Sequence, residues 1–298
     1  MIQINDVVKS FDGFRALDGL TMKVEEGSIY GLVGPNGAGK STILRHIMGI
    51  YRPDSGSILV HGQNVYENPA IKAEMAAIPD ELYYFNSAST RDMMKFYRGL
   101  YPQFDDKRYD ALREAFPEVD ENQPIRRLSK GMQKQSAFWL ALCCQPKVLV
   151  LDEPVDGLDP VMRRQVWNLL LADVAENGST VLVSSHNLRE LEDVCDHVGI
   201  MNHGQMLLER SLSELQDNIV KIQLALPEER ELPEGLDILH HSVTGRLHQL
   251  ILRGKAEELT NRLSAVQPLF LDVLPLNLEE IFIYELGGAD HEIKNILL

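Results

Sequence analysis

The chain has 298 residues, with 44 acidic against 29 basic side chains and a formal net charge of −15. Apolar residues make up 44% and charged residues 24%, an ordinary globular balance that excludes disordered, collagen-like and disulfide-scaffold chains. The acidic excess argues against a protein whose main task is gripping nucleic acid, because phosphate contacts need clustered Lys and Arg.

The N-terminus, MIQINDVVKS, has no basic segment followed by an apolar stretch, so no leader is expected. No run of roughly 18 apolar residues occurs, so no segment is expected to span a bilayer. Together these features predict a cytoplasmic protein that reaches a membrane only through a partner chain. Residues 2–8 alternate apolar and polar, as a half-buried strand does. Residues 20–24 and 28–33 also read as strands, 41–50 as a helix ended by Gly49, and 57–61 as a short strand.

From about 86 to 145 the spacing turns helical. Segments 90–100, 107–116 and 130–144 are separated by Pro102, Pro117 and Pro124. Residues 148–151 and 181–184 are apolar throughout, as in parallel strands covered on both faces, with a helix over 162–177 between them. Beyond Ser211, strands are expected at 219–226, 247–252 and 269–273, with helices at 256–266 and 278–286. Residues 211–298 hold 7 basic and 15 acidic side chains, so the acidity is densest there. Cys143, Cys144 and Cys195 lack disulfide or metal-ligand spacing and read as reduced thiols in packed helices. His240, His241 and His248 read as solvated strand or turn histidines.

The strongest local signal is Gly34-Pro35-Asn36-Gly37-Ala38-Gly39-Lys40-Ser41-Thr42. It fits G-x-x-x-x-G-K-[ST], follows a strand and opens a helix, the context that a phosphate-binding loop requires. Glycines let backbone N–H groups converge on phosphate oxygens, and the helix start adds partial positive charge. Lys40 can reach the β- and γ-phosphates, and the Ser41 hydroxyl can ligate Mg²⁺. Residues 148–151 then deliver two carboxylates to the end of a buried strand. Asp152 is placed to organise Mg²⁺, and Glu153 to polarise an attacking water as general base.

With these motifs in this order, the chain closely resembles an ATP-binding cassette (ABC) ATPase over residues 2–210. Leu128-Ser129-Lys130-Gly131-Met132-Gln133 resembles the ABC signature, Asp156-Gly157-Leu158-Asp159 the D-loop, and Val183-Ser184-Ser185-His186 the switch histidine. Phe11 stands where the family places an aromatic that stacks on adenine. The resemblance implies an α/β P-loop NTPase core of the RecA-like type, with antiparallel β and α-helical subdomains. The expected domains are 1–212, with a helical subdomain at about 86–145, and a small α+β accessory or dimerisation domain at 213–298. It also implies ATP and Mg²⁺ as ligands, with Lys40, Glu153 and His186 catalytic. Ser129, Gly131 and Asp159 are expected to contact ATP held by a second cassette, a copy of this chain or a different one.

Several positions depart from the pattern. Asp80 stands where a glutamine usually touches Mg²⁺ and the attacking water; a carboxylate can still reach the metal but cannot donate as an amide does. Lys130, Met132 and Gln135 replace a glycine, a glutamine and an arginine common in the signature. Because Lys40, Asp152, Glu153 and His186 are all present, hydrolysis is expected to be retained.

The single cassette with an acidic tail resembles the bacterial ABC-2 type exporter group. The segment from Pro275 to Gly288 is similar to that group's closing helix. Phe104 and the signature are similar to a Ytr-like branch. Transmembrane permease subunits and a second cassette are the implied partners, with no nucleic acid, and the chain is expected to be peripheral on the inner membrane face. The alternative is an ABC ATPase acting on ribosomes or DNA, or as a regulatory factor, without a membrane partner. Such proteins usually carry two cassettes on one chain or a long coiled coil, and no sustained heptad occurs here.

Overall fold

The computed structural model describes residues 1–212, 218–227, 230 and 232–286. They form two compact units. One comprises Met1–His186 and Val194–Glu209, the other Asn187–Asp193 and the described part of Arg210–Leu298. Residues 187–193, which the sequence reading places in the first domain, thus group with the second unit.

The first unit opens with β1 (Ile2–Phe11), β2 (Phe14–Val24), β3 (Ile29–Val33) and α1 (Lys40–Ile47). Then come β4 (Ser55–Val60), β5 (Gln63–Asn64), α2 (Pro69–Lys72) and β6 (Met75–Ile78). The helices α3 (Thr90–Leu100), α4 (Asp106–Ala115) and α5 (Lys130–Cys143) follow. β7 (Val148–Asp152), α6 (Pro160–Asn177), β8 (Thr180–Ser185), β9 (His197–Asn202) and β10 (Gln205–Ser211) end the series.

One sheet has the order β2-β1-β4-β5 with antiparallel pairing, and a six-stranded sheet runs β10-β9-β3-β8-β7-β6. The neighbours β9-β3-β8-β7-β6 pair in parallel. β3, β7 and β8 are buried at every position, which is why their sequences are apolar rather than alternating. α1 contacts β2, β4 and β7. The core between these elements is built from Ile4, Leu32, Ile43, Ile47, Val150 and their neighbours.

The three long helices of the insertion each begin on a capping side chain. Ser89 and Asp92 form a reciprocal capping box at α3, Asp105 caps α4, and Ser129 caps α5 by accepting from the Met132 N–H. Trp139 of α5 is fully buried, stacks on Tyr109 of α4 with ring centroids 4.7 Å apart, and donates its indole N–H to the Tyr109 carbonyl. Arg108 of α4 meets the buried Asp173 of α6 at 2.6 Å. Asp173 also accepts from Asn177 and Ser179.

In the second unit, β11 (Ile219–Ala225), β12 (Ile238–Thr244), β13 (Leu247–Arg253) and β14 (Phe270–Leu274) form an antiparallel sheet ordered β12-β13-β11-β14. Leu259 and Leu263 of α7 (Ala256–Ser264) join Val220, Ile222, Leu224, Leu250 and Leu252 in its core. Leu278 and Ile281 of α8 (Leu278–Leu286) are buried, and Arg189 binds Glu279 at 2.7 Å. In the closing segment, the side chains of Phe282, Glu285 and Leu286, and the residues Gly287 and Gly288, lie outside the described part of the structure.

Several elements were not legible. β9 and β10 are joined by His203 and Gly204, both with positive φ (46° and 79°); a hairpin turn needs those angles, yet His-Gly lacks the usual Asn-Gly or Asp-Gly signal. β12 carries His240 and His241, which blur its alternation; His241 Nε2 lies within hydrogen-bond distance of His248 Nδ1 at 3.1 Å, with the ring centroids 5.3 Å apart. Cys143 and Cys144 close α5, but Cys195 lies in the loop before β9 rather than in a helix. All three thiols are free and buried, and burial pushes them up, Cys144 to about 12.

Removing the Asp173 carboxylate takes the buried partner from the Arg108 guanidinium, while Ser179 keeps the Pro146 carbonyl as acceptor and Asn177 is exposed to solvent. Asp173→Ala is expected to destabilise the chain by about 3–5 kcal/mol in urea unfolding, against less than about 1 kcal/mol for alanine at the exposed Asp110.

Candidate functional site

The site lies beyond the C-terminal ends of β3, β8, β7 and β6. The loop after β3 leads into α1, whose first turn starts at Gly39 without a side-chain cap, so its backbone N–H groups remain available to an anion. Gly39 has φ 104°, and a Cβ there would lie 2.7 Å from the Ala16 carbonyl oxygen. No other residue fits this close approach.

An open cleft of about 260 Å³ is lined by Asn36, Gly37, Ala38, Gly39, Lys40, Ser41 and Thr42. Asp80 and Glu153 complete one wall, and Phe14, Ala16 and Pro35 complete another. Lys40 is 6% exposed. Its ammonium donates to the Gly34 carbonyl at 2.6 Å and lies 3.4 Å from a Glu153 carboxylate oxygen.

Glu153 follows the last residue of β7 in a left-handed conformation, φ 46°. That turn aims its second carboxylate oxygen at His186, whose Nδ1 is 2.9 Å away and whose backbone N–H donates at 3.3 Å. The adjacent Asp152 is buried and accepts from the Ser184 hydroxyl at 2.6 Å. Ser184 also accepts from the Glu153 N–H, so β8 holds both carboxylate positions of β7.

Asp80 lines the cleft and lies 3.8 Å from the ammonium of Lys134, a buried residue of α5. Burial pushes the Lys134 ammonium down from its usual range, against the opposing pull of Asp80, Asp156, Glu153 and Asp152. Among the described residues, Glu153, Asp156 and His186 also bring one ligand atom each within 4.8 Å of one another. The Glu153–His186 hydrogen bond already accounts for two of these three.

Other expected residues stand apart. Ser129, Gly131 and Asp159 do not line the cleft. Ser129 caps α5, Asp159 caps α6 by accepting from Val161 and Met162, and a Cβ on Gly131 would lie 3.2 Å from the Gly157 carbonyl. Phe11 does not line the cleft either: its ring meets Tyr51 edge-on at 5.3 Å, with the Lys9 ammonium above it. The aromatic at the cleft is Phe14, which sequence reasoning passed over; its signal was an exposed aromatic two residues before Ala16. Lys134 and Ser184 were also missed, since their roles depend on strand and helix pairings remote in sequence.

The ABC transporter family model matches residues 17–156. The chain is 31% identical over 291 residues to the ABC transporter ATP-binding protein YtrB of Bacillus subtilis (strain 168), covering 97% of this chain and 99% of that protein. The chain belongs to the ABC transporter ATP-binding family. It is an ABC ATPase, the ATP-binding subunit of a transporter. The bacitracin transport ATP-binding protein BcrA of Bacillus licheniformis is 30% identical over 218 residues, covering 72% of this chain and 71% of that protein. A solved ATP-binding subunit of an ABC transporter superposes with a TM-score of 0.67 over 72% of this chain and 92% of that one, at 24% identity. That likeness shows the P-loop NTPase cassette fold.

The close packing at Gly39 makes it a sharp probe of the cleft. Gly39→Ala is expected to weaken a fluorescent ATP analogue by about tenfold or more, roughly 1.4 kcal/mol, in an equilibrium titration.

Proposed function

We propose that this cassette drives an ABC-2 type exporter, hydrolysing ATP in a sandwich formed with a second cassette. The observation that carries the reading is Glu153, held between Lys40 and His186 at the mouth of the phosphate-binding loop. A carboxylate so placed can take a proton from water while the lysine and helix start hold the phosphates.

The steps are those of the chain's own groups. Phosphate oxygens displace the Glu153 carboxylate from Lys40 and settle over the N–H groups of α1. Glu153, now released from the lysine, accepts a proton from the attacking water, whose oxygen bonds to the γ-phosphorus as the bond to ADP breaks. His186 keeps the carboxylate aimed and hydrogen-bonds the γ-phosphate. The Ser41 hydroxyl and the Asp80 and Asp152 carboxylates are hard oxygen donors that fit Mg²⁺, and Ser184 fixes one oxygen of Asp152. Bound there, the ion neutralises charge on the β- and γ-phosphates. Ser129 and Gly131 point to a composite site, since neither lines the cleft of its own chain. In the sandwich they serve the γ-phosphate of the second cassette, alongside Asp159, and closure follows from contacts made only in the closed dimer.

The relative named for bacitracin transport supports export. Among the described residues no helix is long and apolar enough to cross a membrane, so the transport path belongs to permease subunits. An aromatic surface suits them: Tyr83 and Phe85 are exposed, and Phe85 meets Phe96 edge-on at 5.3 Å. Beside them a cavity of about 200 Å³ is lined by Pro79, Tyr84, Tyr97, Tyr101 and Ala137. Exposed apolar surface of this kind marks a docking site, and it adjoins Asp80 in the chain, so permease movement can reach the cleft.

Glu153→Gln is expected to lower ATP turnover by about 10²-fold or more. It should also raise the dimer fraction in sizing experiments with ATP and Mg²⁺. Unchanged turnover in this variant would sink the assignment of the general base.

A further inference from the structure

Lys134 is a cation almost enclosed by the protein, with a side chain 8% exposed on the second turn of α5. Its ammonium donates to the backbone carbonyl of Glu153 at 2.6 Å and stands 3.8 Å from Asp80. Asp152 and Asp156 also act on it electrostatically. One side chain therefore reaches three separate stretches: the loop after β6, the end of β7, and the helix that begins at Ser129.

The bond to Glu153 has a specific consequence. Glu153 is a non-glycine residue in left-handed conformation, which is strained and persists only where the surroundings enforce it. Three groups hold its backbone: Ser184 accepts from its N–H, and its carbonyl accepts from the Lys134 ammonium at 2.6 Å and, more weakly, from the Asp156 N–H at 3.4 Å. The left-handed turn is what points the carboxylate at His186 and Lys40. At the same time the ammonium offsets the repulsion among carboxylates gathered where a further anion, ATP, must enter.

We infer that Lys134 is a positioning residue that locks the backbone turn of Glu153 and couples it, through Asp80, to the helix presenting Ser129. This rests on the proposed role of Glu153 as general base. Movement of the Asp80 loop or of α5 then alters the aim of Glu153 without any change in the phosphate-binding loop. Lys40, by contrast, belongs to that loop and touches Glu153 only through its carboxylate.

The test uses the full chain and three variants. Lys134→Met removes the donor and the charge at similar length. Lys134→Gln keeps a donor but removes the charge, and Lys134→Arg keeps both. Steady-state ATPase assays are read alongside thermal melts and ATP-analogue binding in EDTA, which reports the phosphate loop without Mg²⁺. Lys134→Met is expected to lower kcat by about tenfold or more while KM and the EDTA Kd stay within about threefold. Lys134→Arg is expected to regain about threefold or more in kcat over Lys134→Gln.

A Lys134→Met variant with kcat within about twofold of the parent overturns the inference. So does a loss that appears in KM and the EDTA Kd rather than in kcat. If Lys134→Met melts below the assay temperature, Lys134→Gln and Lys134→Arg decide alone, and equal kcat values for those two overturn it. Glu153→Gln run in parallel separates the two readings: normal turnover there removes the general base itself, whatever Lys134 does.

Discussion

Four adjacent parallel strands end side by side, and the site is a consequence of that register. Val33 of β3 pairs with Ser185 of β8, Ser184 pairs with Asp152 of β7, and Leu151 pairs with Ile78 of β6. The next residues along these strands are Gly34, His186, Glu153 and Pro79-Asp80. Residues far apart in sequence therefore leave the sheet at one edge, where open α/β sheets hold their ligands. A one-residue slip of β7 against β8 would turn Asp152 to the other face and separate it from Ser184. Continuous burial of β3, β7 and β8 makes such a slip costly, because it would leave buried backbone groups unpaired at the strand ends.

The same edge has to hold opposite charges with little water. Lys40 and Glu153 are 6% and 12% exposed, and a buried ion pair is tolerable only when its remaining donors and acceptors are satisfied. They are: the Gly34 carbonyl accepts a hydrogen bond from the Lys40 ammonium, and His186 supplies both ring and backbone to Glu153. The groups are thus bonded to one another. On the proposed mechanism, ATP exchanges one anionic partner of Lys40 for another, and the carboxylate is freed only when a phosphate has replaced it. Binding and activation of the base are then a single exchange.

The sequence was most legible where chemistry is local. The phosphate-binding loop, the Asp152-Glu153 pair and the capped helix after Ser129 each occupy a short stretch whose residue types are demanded by backbone geometry. The long helices and buried strands followed from periodicity. What was not legible depends on pairing across distance: Lys134 reads as an ordinary helical lysine until α5 is seen against β7, and Ser184 as a strand serine until it faces Asp152. Phe11 and Phe14 pair with each other across the β1–β2 hairpin, and composition cannot say which ring meets the cleft. The segment 187–193 joins the second unit through Arg189 to Glu279 and Glu192 to the Leu278 N–H, contacts some ninety residues apart.

The net charge of the whole chain is a poor guide to what a ligand meets at the cleft. Of the formal −15, −8 belongs to residues 211–298, outside the unit that carries the cleft. The phosphates would meet instead the free N–H groups of α1 and the ammonium of Lys40, which act at contact in a poorly hydrated place. The remaining electrostatic difficulty is local: Asp80, Asp152, Glu153 and Asp156 gather where a polyanion must approach. Lys134 stands among all four, and an enclosed cation there reduces their mutual repulsion without offering itself to the cleft, which it does not line. An acidic protein can bind a more acidic ligand because two buried lysines divide the work, one facing the phosphates and one behind the carboxylates.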